Sequence, residues 1–167
     1  MKTVALFKYR PAIVETATQY VRWEYAPPYH IYNCLPSYLE EEITYQVDPY
    51  NNIYTIHDRA GELVGYCSFG ADARVRGGDY SDEALDIGLM IHPDLTGQGL
   101  GAGFVRDVIR FGVGKFHPRF LRVTIAAFNQ RARKVWEKNG FEIIQTFSGE
   151  LSGMEFVIMT RPVNAPK

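Results

Sequence analysis

Residues 85–103, Leu-Asp-Ile-Gly-Leu-Met-Ile-His-Pro-Asp-Leu-Thr-Gly-Gln-Gly-Leu-Gly-Ala-Gly, constrain the fold more than any other stretch of the chain. An apolar strand runs there into a glycine-dense turn and then into a helix. The first amides of a helix lack partners inside it, and the aligned peptide dipoles add partial positive charge at that end. Glycines at 97, 99 and 101 remove side chains that would block close approach, and they permit the backbone angles of a concave nest. The pattern predicts a phosphate-sized anion site built from backbone N–H groups. A glycine-rich corner with no guest is the plainer alternative.

A chain of 167 residues, 46% of them hydrophobic, is expected to form one compact unit with an ample core. Its 18 basic and 19 acidic residues leave a formal net charge of −1. That balance gives no global field for nucleic acid or an anionic membrane, so phosphate affinity must be local. Neither a bilayer-length apolar run nor a signal-like N-terminal core is visible, which makes the cytoplasm the expected location. Cys34 and Cys67 have neither metal-ligand spacing nor a disulfide-rich context, so free buried thiols and no metal are expected.

Along the chain, Thr3 to Tyr9 alternates as a strand, Pro11 interrupts it, and Ala12 to Val21 is compatible with a helix. Trp23, Tyr25, Tyr29 and Tyr32 then crowd around Pro27-Pro28, which predicts an extended aromatic loop. A second short helix is expected from Pro36 to about Tyr45, with Glu40-Glu41-Glu42 in its first half. Asn52 to His57 and Glu62 to Phe69 form a hairpin around Asp58-Arg59-Ala60-Gly61. After a polar loop over 70–82 come a strand over Ala84 to Ile91, the glycine turn, and a helix from about Gly99 to Lys115. A strand over Arg122 to Ala127, a helix over Asn129 to Asn139 stopped by Gly140, and a hairpin of Phe141 to Phe147 with Glu155 to Thr160 complete the chain. The order β-α-α-β-β-β-α-β-α-β-β fits an α/β fold, a mixed sheet flanked by helices. The strand, helix and strand over 84–127 are expected to make a parallel crossover, with ligands at the carboxyl ends of the strands.

A P-loop is excluded, because no glycine, four residues and Gly-Lys-Ser or Gly-Lys-Thr string occurs. Gly97, Gly99 and Ala102 match the dinucleotide spacing, but the acidic residue expected about 20 positions on meets Phe116-His117-Pro118-Arg119-Phe120 instead. A third option rests on two separated motifs. Ile91-His92-Pro93 with Thr96-Gly97-Gln98-Gly99-Leu100-Gly101, followed by Asn129-Gln130-Arg131-Ala132 and Trp136-Glu137-Lys138-Asn139-Gly140-Phe141, resembles the GNAT superfamily of acyl-CoA-dependent N-acetyltransferases. The resemblance spans residues 52–160 in good order and the first 50 residues only loosely. It implies one N-acetyltransferase domain over residues 1–167 that moves acetyl from acetyl-CoA to a primary amine by direct attack, with no metal. It further implies that Thr96, Gly97, Gln98, Gly99, Leu100 and Gly101 hold the pyrophosphate through backbone amides. Leu89, Met90 and Ile91 would pair with the pantetheine arm, and Asn129 would touch the cofactor, although a plain helix cap accounts for Asn129 equally well.

The chain departs from the family pattern at one position that matters. The tyrosine that commonly protonates the departing thiolate falls at Trp136, whose indole cannot act as a general acid. Tyr66, Tyr80, His92 or water would have to substitute, or the step needs no dedicated acid. Asp86 is the candidate general base, matching a catalytic glutamate of some family members, and a capping or solvated aspartate is the alternative. Glu24, Asp82 and Glu83 are weaker choices. A backbone N–H near Met90 could polarise the thioester carbonyl if the strand splays there, with Gly88 as the mark of a bulge. The acceptor stays open among a small amine, an aminoglycoside-like polyamine and a protein amine, because fold does not choose between them. The rival class is a non-catalytic acyl-CoA-binding sensor or scaffold. A strand such as Glu155 to Thr160 is available to pair across a homodimer.

Overall fold

The computed structural model describes residues 6–164. Seven strands, β1 (Lys8–Pro11), β2 (Ile53–His57), β3 (Leu63–Phe69), β4 (Leu85–Ile91), β5 (Phe120–Ala126), β6 (Glu142–Ser148) and β7 (Glu155–Pro162), form a mixed sheet in the order β1-β2-β3-β4-β5-β7-β6. Four helices flank it: α1 (Val14–Tyr20), α2 (Leu39–Val47), α3 (Gly101–Phe116) and α4 (Gln130–Lys138). The element order is the one expected from the sequence. Packing divides the chain into two compact units that interleave in sequence. One holds the chain up to Ser68 together with Leu89–Leu100, and the other holds Phe69–Gly88 and the chain from Gly101 onward.

In the first unit β1, β2 and β3 form an antiparallel ladder, with Lys8 opposite His57 and Ile53 opposite Ser68. Pro11 does not end β1 early. It pairs with Tyr54 as the last residue of an edge strand, where a missing N–H costs no ladder bond. The start of that expected strand, Thr3 to Ala5, lies outside the described residues. Ala12, Ala17, Tyr20, Val21 and Ile53 form the core here, with Trp23, Ile43, Val47 and Tyr66 packed against it.

In the second unit β4 and β5 run parallel, and β5, β7 and β6 are antiparallel neighbours. Helix α3 buries Phe104, Val105, Val108, Ile109 and Gly112, a spacing that keeps one face apolar. Gly112 is required by close approach: a Cβ there would lie 2.6 Å from the Phe69 ring. The helix begins at Gly101 rather than the expected Gly99, because Gly99 sits at φ +77°, in the left-handed region that no α-helix uses. In α4, Trp136 is 6% exposed and stands edge-on to Phe141 with ring centroids 4.9 Å apart, as a core residue.

Asn129 caps α4. Its side-chain oxygen accepts the Ala132 N–H at 3.0 Å, satisfying one of the amides the helix leaves open. Asn129→Ala is expected to lower stability by about 1 kcal/mol, measurable as a lower midpoint in urea with an unchanged slope.

Candidate active site

The first unit fixes the carboxyl end of β4 from several directions. The His92 N–H donates to the Val64 carbonyl at 2.9 Å, continuing the β3 edge. Gly65 allows that approach, since a Cβ there would come within 2.8 Å of the Met90 carbonyl oxygen. From the aromatic loop, the Tyr25 hydroxyl donates to the Ile91 carbonyl at 2.8 Å, and burial pushes its phenol well above the ordinary tyrosine range. Trp23 packs edge-on against the His92 ring, centroids 4.8 Å apart.

The glycine turn follows directly. Pro93–Leu95 makes a short 3₁₀ turn, and the Thr96 hydroxyl donates back to the Pro93 carbonyl at 2.8 Å. Gln98 folds back likewise, its amide donating to the Asp94 carbonyl. Gly97 and Gly99 both have positive φ, +73° and +77°, and the segment Gly97 to Leu100 is exposed. Among the described residues, the backbone N–H groups of Gly97, Gln98, Gly99 and Leu100 have no acceptor within the protein. Four successive donors are thus left open in a turn that leads into a 16-residue helix, an arrangement chemically suited to an anion.

In the second unit Asp86 is not a free base. It is 1% exposed, and its two oxygens are held by Arg122, Nε at 2.6 Å and Nη2 at 2.8 Å, with Arg74 Nε a further 2.8 Å donor. Arg122, 2% exposed, also donates to the Asp82 carbonyl at 2.8 Å. Its bond to Asp86 raises the guanidinium pKa against the opposing effect of burial. Asp86, the expected proton acceptor, thus has both oxygens engaged by guanidinium donors, the geometry of a buried ion pair. The ladder between β4 and β5 consists of Leu85 opposite Leu121 and Asp86 opposite Arg122, both at the start of β4.

Tyr80 belongs to this cluster. Its ring lies under Arg122 and Arg74, at 4.9 and 5.4 Å from centroid to guanidinium carbon. Its hydroxyl accepts the Val75 N–H at 2.9 Å and bonds Thr124 Oγ1 at 2.8 Å, so it is engaged as a structural bridge. His92 Nδ1 accepts the Asp94 N–H at 3.1 Å. Tyr66 stacks on Tyr20, centroids 4.1 Å apart, in the wall of a chamber in the first unit. The residues expected at the site do not include Glu42, which lines that chamber together with Tyr25 of the aromatic loop. The available signal was the Glu42 and Gln46 spacing, one helical turn apart under a tyrosine-rich loop.

Comparison with known proteins identifies the family and the fold. The family profile of the acetyltransferase (GNAT) domain matches residues 8–142, and the chain belongs to that family. No curated protein sequence is significantly similar to it. Among solved structures, AAC(6′)-Ib in complex with ribostamycin and coenzyme A superposes with a TM-score of 0.73 at 18% identity, covering 93% of each chain. A chimera of the spermidine N-acetyltransferase SpeG from Vibrio cholerae and hSSAT gives 0.70 at 13% identity, over 94% of this chain and 95% of the other. A GNAT-family acetyltransferase from Bacillus anthracis gives 0.68 at 12% identity, over 93% and 94%. At these identities the likeness is one of fold. No helix among the described residues is long and apolar enough to cross a membrane.

Proposed function

We propose that this chain transfers acetyl from acetyl-CoA to a primary amine by direct attack within a ternary complex. The four open amides of Gly97 to Leu100 carry the reading, since they match the need of a pyrophosphate for clustered backbone donors. Thr96 and Gly101 frame that cradle, and Asn129 lies where the second motif predicts a cofactor contact. Beyond the two-pair ladder with β5, the backbone of Leu89, Met90 and Ile91 is the segment assigned to the pantetheine arm. Acetyl-CoA supplies an activated thioester, and holding the two reactants together accounts for much of the rate gain. The N–H near Met90 is assigned to polarise the carbonyl. In this reading Asp86, paired with Arg122 at the start of β4, handles no proton, and Trp136 is packing.

The first test is thermal unfolding with increasing acetyl-CoA. A ligand that binds only the folded state stabilises it by about 2.7 kcal/mol at a hundredfold excess over its Kd. For a chain of this size that is a rise of about 5–10 °C. A dose-dependent rise with acetyl-CoA and none with NAD supports the donor assignment, and CoA release with an amine panel completes it. A rise without release for any amine would instead identify a non-catalytic acyl-CoA-binding module. No rise in well-folded protein free of co-purified CoA would overturn the donor assignment.

A further inference from the structure

The aromatic loop, the first two helices and Tyr66 of β3 line a chamber of about 330 Å³, open to solvent on one side, that lies wholly within the first unit. Six rings line it, those of Tyr20, Trp23, Tyr25, Tyr32, Tyr38 and Tyr66. Glu42 is the one acidic residue in the lining, and no lysine, arginine or histidine contributes to it. Electron-rich ring faces around a single carboxylate favour a cation. The carboxylate is also fixed in place. The Tyr20 hydroxyl donates to Gln46 Oε1 at 2.7 Å, and Gln46 Nε2 donates to Glu42 at 2.7 Å. Tyr20 and Gln46 are 2% and 7% exposed, so a buried relay ends at a half-buried anion facing the chamber. Glu42 is felt across it: together with burial, the larger cause, its charge raises the Cys34 thiol pKa.

The wall of the chamber is tied to the proposed donor site. Tyr25 is knitted to Asn33, its N–H donating to Asn33 Oδ1 at 2.8 Å, while its hydroxyl holds the Ile91 carbonyl. Tyr25 thus links the lining of the chamber to the strand end assigned to the thioester.

We infer that this chamber is the acceptor site and that it takes a compact amine with one ammonium group on an aromatic or apolar body, Glu42 and the rings holding the ammonium. The inference rests on the acetyltransferase reading above. Its volume lies at the low end of the roughly 300–1,000 Å³ usual for ligand pockets. A polyamine or aminoglycoside would bring several ammonium groups to a lining that offers one carboxylate, so most of them would gain no charged partner there. In the reaction the ammonium first loses a proton to water. The neutral nitrogen then forms a bond to the thioester carbonyl carbon, the carbon–sulfur bond breaks, and the thiolate takes up a second proton from that nitrogen. The products are an acetamide and CoA thiol, with one proton released to solvent. Glu42 acts as a specificity-determining residue.

Phenethylamine, spermidine and ribostamycin serve as probes, in two assays on the whole chain. In calorimetric titration, phenethylamine is expected to bind saturably, and Glu42→Gln, which keeps the size of the side chain, to weaken it about tenfold or more. In CoA release, kcat/KM for phenethylamine should exceed that for either polycation about tenfold, with Glu42→Gln raising KM more than it lowers kcat. An unchanged unfolding midpoint for Glu42→Gln separates lost recognition from lost folding. Absence of phenethylamine binding, or equal binding by Glu42→Gln, overturns the inference, as does preferred turnover of spermidine or ribostamycin. In that last case the acetyltransferase reading survives. Glu42-dependent phenethylamine binding with no CoA release from any amine would overturn the acetyltransferase reading instead and leave the amine chamber standing.

Discussion

Asp86→Ala is expected to destabilise the protein by about 3–5 kcal/mol, because it strands the buried guanidinium of Arg122 without its counter-charge. Three donor contacts disappear with that carboxylate, two from Arg122 and one from Arg74. The Arg74 contact adds little, since that side chain is 42% exposed and solvent screens the pair. Arg122 cannot escape to water: it is 2% exposed and lies against Tyr80. Removing both charges in an Asp86→Leu, Arg122→Leu double variant should recover a good part of the loss, because apolar replacement of a buried pair often comes close to neutral. Denaturant unfolding of the two single variants and the double variant measures the coupling directly. A single-variant loss below about 1 kcal/mol would mean that water reaches Arg122, and Asp86 would return to consideration as a proton acceptor.

The same ion pair marks where the sequence stopped being readable. Asp86 in an apolar strand next to the glycine turn has the position of a catalytic carboxylate, and nothing local distinguishes that from an ion pair. Its partner is 36 residues away on β5, and only the parallel register that sets Asp86 opposite Arg122 joins them. Strand identity and order were legible because hydrophobic runs and turn residues record them. The register of a parallel pair is not recorded that way, since no turn joins the two strands directly and their partners lie far apart in the chain. The glycine turn was legible for the opposite reason: the role proposed for it resides in backbone geometry, and the glycine spacing anticipated the positive φ found at Gly97 and Gly99. The acceptor chamber falls between these cases. Its tyrosines were visible as a cluster, but their facing Glu42 depends on how α2 packs on α1, and that α2 starts only after a 3₁₀ turn over Pro36–Tyr38. Trp136, at the position of the missing tyrosine, is buried against Phe141.

Gly99→Val is expected to weaken acetyl-CoA about tenfold or more, whereas Gly99→Asn should retain most of the affinity. The contrast follows from backbone conformation. A Cβ at Gly99 meets no atom within 4 Å, so space does not forbid a side chain there. The obstacle is φ +77°, where a β-branched residue is strongly disfavoured and asparagine is tolerated. Valine would be relieved by turning the peptide over, which points the Gly99 and Leu100 amides away from the centre of the nest and removes donors that no side chain can replace. Because the turn is exposed and its amides bond nothing within the protein, the free protein should lose no more than about 1–2 kcal/mol. The effect should therefore concentrate in the acetyl-CoA-dependent rise of the unfolding midpoint. Equal losses in both variants would mean that side-chain bulk, not amide orientation, governs access. No loss in either would show that the pyrophosphate sits elsewhere, which would remove the strongest support for the proposed reaction.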